Sequence, residues 1–247
     1  MTPLLLAAGL AASAAATPAA TLPARIQRIV LHVPGGPTYE RPERSFLFYT
    51  PRQTHALWRV RRFGTQWILW TDGALWPRHP ERGEAASLRL PVEASADEAW
   101  RQRLARQAAP VYWHVYGGND DSLGIEVAHS GRAADPFPEV QVKALAWLLH
   151  TLVDMSEGRL TPASVVGHKD LDERPAYVWA RCARQGCPVF VDAEGEPYKR
   201  RVDPPESLFE GLAREGFTAA RPSGDNDRDL SRAEKGLVSG RPKVARR

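Results

Sequence analysis

Ile26-Gln27-Arg28-Ile29-Val30-Leu31-His32-Val33 is a short apolar run rich in β-branched residues, and Pro34-Gly35-Gly36-Pro37 follows it directly. A run of this length that ends in a Pro/Gly cluster is typical of a buried strand that stops in a turn. We therefore expect a buried strand with His32 at its carboxyl-terminal edge. The other elements of the fold are predicted outward from this strand.

Strand-like and helix-like patterns alternate along the rest of the chain. Strand patterns cover residues 66–70, 74–76, 111–116, 123–128 and 165–166, and helical patterns cover 51–62, 94–108, 138–155 and 204–217. Thr71-Asp72-Gly73 between the first two strands predicts a hairpin. Ser95 and Glu98 have the spacing of a capping box for the helix at 94–108. Interleaved strands and helices predict an α/β or α+β fold with helices packed on a sheet.

The first 22 residues differ in composition from the rest of the 247-residue chain, which has 43% hydrophobic and 25% charged positions and is typical of a globular protein. Residues 1–22 contain no charged side chain and run through leucines into alanines. This pattern indicates a signal peptide, and because its n-region lacks Lys and Arg, a disordered leader is the alternative. No later apolar segment reaches the roughly 20 residues of a membrane-spanning helix. We expect a soluble protein exported to the periplasm or the extracellular space.

The net charge of +4 is accounted for by the carboxyl-terminal tail, residues 218–247, which holds eight Lys or Arg against four Asp or Glu. The tail is rich in polar residues and lacks helical periodicity, so we expect it to be disordered. The tail either helps the protein adhere to an anionic envelope or has no role. Basic and aromatic residues do not interleave on a recognisable module, so nucleic acid is not an expected partner.

Cys182 and Cys187 are the two cysteines of the chain, and Gly186 lies between them. In an oxidising compartment they can close a short disulfide loop, which is the pairing we expect. Free structural thiols are one alternative. Ligation of a metal is the other, because zinc binds thiolates well.

Six short motifs follow one another along the chain. They are Ile29-Val30-Leu31-His32, Trp67-Ile68-Leu69-Trp70-Thr71-Asp72-Gly73, Trp113-His114, Ser122-Leu123-Gly124-Ile125-Glu126, Val166-Gly167-His168-Lys169-Asp170 and Arg200-Arg201-Val202-Asp203-Pro204. In this order they resemble the zinc-dependent N-acetylmuramoyl-L-alanine amidases of the amidase-2 type, relatives of peptidoglycan-recognition proteins and phage amidase lysozymes. The resemblance covers residues 25–217 and implies an α/β fold, with a central mixed β-sheet flanked by helices in a single catalytic domain.

The resemblance also implies a zinc site formed by His32, His168 and Asp203. Catalytic zinc typically takes three protein ligands and leaves a fourth position to water, so the number of ligands fits. Taken singly, His32 is also typical of a core histidine at a strand end. Asp203 is likewise typical of a helix N-cap before Pro204. The order of the motifs favours zinc ligation for both.

Further residues receive roles from the same resemblance. Glu126 holds the position of the catalytic carboxylate, with a half-exposed strand glutamate of no function as the alternative. His114 holds the position of a contact to the substrate or the transition state. Arg201 holds the position of a cation that stabilises the charge on the carbonyl oxygen. Asp170 is either a surface charge, as Lys169 is, or an acceptor that orients His168.

The chain departs from the family pattern at three places. Arg201 stands where members often have a lysine, and a guanidinium is not equivalent to an ammonium. Thr65 and Gln66 replace a Tyr-His pair, which leaves Glu126 to carry the proton transfer alone. The segment 171–199 is longer than in compact members, and it forms either a wall of the substrate groove or a surface loop closed by the cysteines.

The predicted function is zinc-dependent hydrolysis of the amide bond between N-acetylmuramic acid and L-alanine, with peptidoglycan or a muropeptide as substrate and the protein acting as a monomer. A non-catalytic peptidoglycan-binding module of the same fold is the alternative. Such modules typically lack the third zinc ligand, so the presence of Asp203 favours the enzyme. A zinc protease is a third interpretation, but the sequence has no His-Glu-x-x-His segment.

Overall fold

The computed structural model describes residues 19–33, 50–80, 82–83, 85–115, 118–129, 136–171, 178–181, 188–191, 197–198 and 204–219. Within these ranges the chain forms strands and four α-helices. The strands are β1 (Arg28–His32), β2 (Trp67–Leu69), β3 (Ala74–Pro77), β4 (Leu88–Arg89), β5 (Ser122–Val127), β6 (Val165–Gly167), β7 (Val178–Arg181), β8 (Pro188–Val191) and β9 (Pro197–Tyr198). The helices are α1 (Pro51–Arg61), α2 (Glu98–Ala108), α3 (Glu139–Asp154) and α4 (Glu206–Arg214).

Six of these strands form a mixed sheet in the order β4-β3-β2-β5-β1-β6. Strand β1 lies between β5 and β6 and is parallel to both, and β2 is parallel to β5 on its other side. Strands β2, β3 and β4 are antiparallel neighbours. The predicted α/β fold with a central mixed sheet flanked by helices is therefore confirmed.

The two faces of the sheet bury different helices, because successive strand residues point to opposite sides. Ile29, Leu31, Leu123 and Ile125 point to one face and share a single core with side chains of α2, α3 and α4. Trp58 of α1 packs on the other face against Ile68 of β2. Helices thus flank the sheet on both sides, and burial of apolar surface, at about 25 cal/mol per Å², is the main stabilising term.

The hairpin predicted at Thr71-Asp72-Gly73 joins β2 to β3, which pair from Trp67–Pro77 to Leu69–Leu75. The Asp72 carboxylate accepts a hydrogen bond from the backbone N–H of Ala74 at 2.9 Å. Gly73 has a φ of +77°, a conformation that favours glycine. The hairpin predicted from Asp72-Gly73 is therefore confirmed.

Two local predictions are wrong. Residues 111–115 form no strand, because the Asn119 side-chain oxygen accepts the N–H groups of His114 and Val115 at 2.7 and 2.9 Å. Helix α2 begins at Glu98 rather than at residue 94, since Asp97 caps it by accepting from the N–H of Trp100 at 2.9 Å. Glu98 instead binds the backbone N–H of Ala20 at 3.0 Å.

The residues just before β1 belong to the folded structure. Leu22 is 2% exposed, and its N–H donates to the Met155 carbonyl at 3.0 Å. The guanidinium of Arg159 donates to four backbone carbonyls, those of Leu22, Pro23, Ala24 and Ile26. This segment is thereby fixed to the end of α3. Residues 1–18 of the expected leader lie outside the described residues.

The long segment 171–199 contains a second, three-stranded antiparallel sheet in the order β7-β8-β9, which the sequence patterns did not predict. Cys182, Cys187 and the tail from residue 220 lie outside the described residues, so the disulfide and the disordered tail stay predictions. None of the helices that the structure describes has the length and apolar character required to cross a bilayer.

Candidate metal centre and active site

His32 and Glu126 lie side by side at the carboxyl-terminal ends of two neighbouring parallel strands. His32 of β1 is in register with Glu126 of β5, and Glu126 is in register with Ile68 of β2. Residues in register on adjacent parallel strands project to the same face and lie about 4.8 Å apart along the hydrogen-bonding direction. Glu126 is 8% exposed and His32 is 4% exposed. Glu126 is therefore buried rather than half-exposed, and its catalytic role stays a prediction.

His168 reaches the same edge of the sheet from β6. This strand pairs with β1 up to Leu31 and Gly167, and a 3-10 turn, His168–Leu171, follows it directly. The Asp170 carboxylate accepts a hydrogen bond from the Gly167 N–H at 2.8 Å, which closes the turn around His168. Orientation of His168, one of the two roles left open for Asp170, stays a prediction.

The rings of His32 and His168 face each other through their Nδ1 atoms, which are 3.0 Å apart. Tetrahedral zinc with Zn–N bonds of about 2.0–2.1 Å holds two ligand nitrogens about 3.3 Å apart. The two Nδ1 atoms therefore converge on one point at nearly the spacing that a shared metal ion requires. This pair of residues fits a zinc site.

His114 lies over β5 on the same face of the sheet. Its Nδ1 is 3.0 Å from His32 Nε2, and its Nε2 is 3.1 Å from the hydroxyl of Ser122. Burial lowers the pKa of His114 to about 3, with a smaller contribution from the neighbouring His168, and the hydrogen bond at Ser122 opposes the shift. The ring is therefore neutral at physiological pH. Both ring nitrogens face groups of the protein itself.

Gly124 makes the position of His114 possible. A Cβ at residue 124 would lie 2.9 Å from Cγ and Nδ1 of His114 and 2.6 Å from the methyl group of Thr65. Such distances do not occur between real side chains, so the imidazole rests on bare backbone. The backbone N–H of Gly124 donates to Gln66 Oε1 at 2.7 Å. Thr65 and Gln66, the departures from the family pair, are therefore packed around Gly124.

Asp203 and Arg201 lie outside the described residues, and Pro204 is the nearest described residue to both. Pro204 Cδ would be 2.8 Å from a Cβ on Gly167, so residue 204 contacts the backbone next to His168. Helix α4 has Pro205 at its N-cap position, with no capping hydrogen bond from a side chain. Zinc ligation and helix capping by Asp203 both stay predictions. Among the residues that the structure describes, no three His, Cys, Asp or Glu side chains are arranged to hold a metal.

Three residues that contact His114 or leave space for it were not identified from the sequence: Ser122, Gly124 and Asn119. A glycine inside a strand often marks a close approach of another group, so Gly124 carried a usable signal. Ser122 and Asn119 act through their contacts to His114, which only the folded loop reveals. The metal-ligand, catalytic and substrate roles expected for the site stay predictions.

Comparison with known proteins gives one family. A family model described as N-acetylmuramoyl-L-alanine amidase matches residues 22–189. No curated protein matches the chain.

Several solved structures are similar to this chain. AmpDh3 from Pseudomonas aeruginosa is 18% identical, with coverage of 97% of this chain and 77% of that chain and a TM-score of 0.42. A second structure of AmpDh3, in complex with anhydromuramic pentapeptide, gives the same identity and coverage with a TM-score of 0.39. The N-acetylmuramoyl-L-alanine amidase LysC from Clostridium intestinale is 17% identical, with coverage of 63% of this chain and 80% of that chain and a TM-score of 0.38.

Proposed function

The chain belongs to the N-acetylmuramoyl-L-alanine amidase family, and we propose that it is a zinc-dependent enzyme that hydrolyses the amide bond between N-acetylmuramic acid and L-alanine in peptidoglycan. The substrate is peptidoglycan or a muropeptide derived from it, and the enzyme acts as a monomer.

The observation that carries this proposal is the grouping of His32, His168 and Glu126 at one edge of the sheet. The two Nδ1 atoms are 3.0 Å apart, and Glu126 is the in-register neighbour of His32. Two convergent imidazoles beside a buried carboxylate supply two ligands for the ion and a base next to it. Asp203 as the third ligand favours the enzyme over a binding module.

His32 and His168 would hold the zinc ion together with Asp203. Imidazole nitrogen and carboxylate oxygen are both ordinary zinc ligands, and three protein ligands leave one position for water or substrate. Asp203 is bonded to Pro204, which contacts Gly167 beside His168. This contact supports Asp203 as the third ligand. When bound, zinc lowers the pKa of a water molecule towards about 7 and polarises a carbonyl oxygen.

Glu126 supplies the proton transfers. Its carboxylate accepts a proton from the attacking water and returns it to the departing amine of L-alanine, so water adds across the C–N bond and both products leave with complete valences. Negative charge develops on the carbonyl oxygen during the attack, and a fixed cation stabilises it. Arg201 is the residue we assign to this role.

Muropeptide cleavage by the purified full-length protein tests the proposal. We expect release of free stem peptide, loss of that activity with a chelator, and its recovery when zinc is added back. Bound zinc together with tight muropeptide binding but no release would instead favour the binding module. Cleavage of casein by the same preparation would favour a zinc protease.

The role of Asp203 has its own test within this experiment. We expect Asp203→Ala to lose zinc occupancy, whereas Asp120→Ala, which changes an exposed aspartate, retains it. Zinc content equal to that of the wild type in Asp203→Ala would remove Asp203 from the ligand set.

We also propose that the protein is exported to the periplasm or the extracellular space. The support is the uncharged apolar segment at residues 1–22. Peptidoglycan lies in that compartment, so export would bring the enzyme to its substrate.

A further inference from the structure

The hydroxyl group of Ser122 donates one hydrogen bond and accepts another, and its contacts determine which is which. Ser122 is fully buried at the start of β5, and its Oγ contacts the carbonyl oxygen of Gly118 and Nε2 of His114. A carbonyl oxygen can only accept a hydrogen bond, and a hydroxyl has one hydrogen to donate. The hydrogen of Ser122 therefore goes to Gly118. Its oxygen must accept from the Nε2–H of His114.

The hydrogen bond from His114 to Ser122 also determines which ring nitrogens of His114 and His32 donate and which accept. A neutral imidazole carries one hydrogen, so with the hydrogen on Nε2 the Nδ1 atom of His114 is an acceptor. The partner of that Nδ1, at 3.0 Å, is His32 Nε2, which must therefore donate. A neutral His32 then holds its single hydrogen on Nε2, so its Nδ1 is an acceptor. That Nδ1 is the atom that faces His168 Nδ1.

The surroundings hold His114 in this position. Asn119 accepts hydrogen bonds from the backbone N–H groups of His114 and Val115, and Gly124 leaves room for the ring against β5. Three sets of contacts therefore hold the His114 ring: hydrogen bonds to the backbone beside it, packing against Gly124, and hydrogen bonds at both ring nitrogens.

We propose that Ser122 and His114 form a relay that fixes the tautomer and orientation of His32, so that its Nδ1 is ready to bind the metal. The proposal rests on the zinc site of the proposed function and deepens it. Both residues are positioning residues rather than catalytic ones, and His114 takes this role in place of the substrate contact implied by the family resemblance. Outer partners of metal-bound histidines typically contribute about 10- to 100-fold in metal affinity.

The tautomers are read directly by long-range ¹H–¹⁵N spectra of the metal-free full-length protein. We expect His114 and His32 both to carry their hydrogen on Nε2. A hydrogen on Nδ1 of either ring would overturn the relay. Because the spectra need neither zinc nor substrate, their result does not depend on whether the proposed function is correct.

Zinc affinity measured by competition with a chelating dye gives the second readout. We expect His114→Leu, which removes the acceptor, to weaken zinc binding by about 10- to 100-fold. His114→Asn keeps an acceptor near the Nδ1 position and should retain most of the affinity. Ser122→Ala frees His114 to adopt either tautomer and should give a smaller loss, with mixed tautomers in the spectra. Thermal unfolding of each variant shows whether it is folded.

The outcomes separate the two proposals. A wild-type protein that binds no zinc would contradict the proposed function. A wild-type protein that binds zinc and cleaves muropeptides, with a folded His114→Leu that binds zinc equally well, would contradict the relay alone. If His114→Leu does not fold, Ser122→Ala and the wild-type spectra decide the matter.

Discussion

Glu126 is a carboxylate in a strand whose six residues are all buried. A buried carboxylate is costly unless it is paired or hydrogen-bonded, so the polar groups around Glu126 must hold it in place. Its in-register neighbour is His32, one of the two histidines that fit a metal site. Burial and neighbour together favour a chemical role.

We expect Glu126→Gln to lower the rate of stem-peptide release by about 10²-fold or more, because the amide cannot accept the proton of the attacking water. Zinc content and the midpoint of thermal unfolding should stay close to those of the wild type, since glutamine has the same shape. Glu139→Gln on the exposed side of α3 is the matched control and should keep full activity. Wild-type turnover in Glu126→Gln would exclude Glu126 as the base.

Gly124→Ala should displace His114, because the new Cβ would lie 2.6 Å from the Thr65 methyl group and 2.9 Å from the His114 ring. We expect a loss of about 1–3 kcal/mol in the free energy of unfolding. Zinc binding should weaken as well, since His114 contacts His32. Gly118→Ala is the control, because its Cβ would meet only ordinary contacts at 3.5 Å or more. Urea unfolding and zinc titration give the comparison, and equal behaviour of the two variants would contradict the account.

The sequence motifs pointed to His32, His114, His168 and Glu126. In the structure His32 contacts both His114 and His168. The direction of the hydrogen bonds among them was not accessible from the sequence. It depends on Ser122, whose partners meet it only when the loop before β5 folds back over the sheet. The spacing of residues along the chain does not predict that contact.

Helix α1 carries a buried histidine that links stability to pH. His55 is 5% exposed, and its Nε2 lies 3.1 Å from the Trp76 carbonyl oxygen of β3. Burial lowers the pKa of His55 to about 4, and the hydrogen bond to Trp76 opposes this only in part. An unfolded chain takes up the proton near pH 6.5. The contribution of His55 is therefore complete above pH 6.5 and is lost as the pH falls from 6.5 towards 4.

We expect the wild type to lose about 2 kcal/mol more between pH 7 and pH 5 than His55→Gln, whose side chain does not titrate and can still donate to Trp76. Urea unfolding at the two pH values measures the difference. Other histidines also respond to pH, so the difference between the two proteins isolates His55. Equal losses in both would show that His55 is not kept neutral by the fold.

Elements with strong periodicity or turn chemistry were predictable, and those shaped by contacts from elsewhere were not. The apolar face of α3 and the Asp72-Gly73 turn follow local rules and formed as predicted. Residues 111–115 have strand-like composition, yet the Asn119 side chain accepts the backbone N–H groups of His114 and Val115. Strands β7 to β9 were missed because each has only two to four residues, too few for a clear periodic pattern.

For the whole molecule, the folded part includes residues that the leader pattern alone would assign to the signal peptide. Leu22 is buried in the core, and Ala20 is hydrogen-bonded to Glu98 of α2. If the protein is exported, the signal peptide should therefore be removed before Ala20. The intact mass of the protein secreted by a bacterial host measures this position. Retention in the cytoplasm, or a mature chain that starts after Leu22, would contradict the expectation.

The zinc content of the purified protein, combined with the masses of its muropeptide products, tests the zinc site and the cleaved bond at once. We expect one zinc ion per chain, an intact stem peptide with a free amino group on L-alanine, and a sugar product that ends in the lactyl carboxylate of N-acetylmuramic acid. Products cut within the stem peptide or between the sugars, or the expected products from a protein without zinc, would contradict the account.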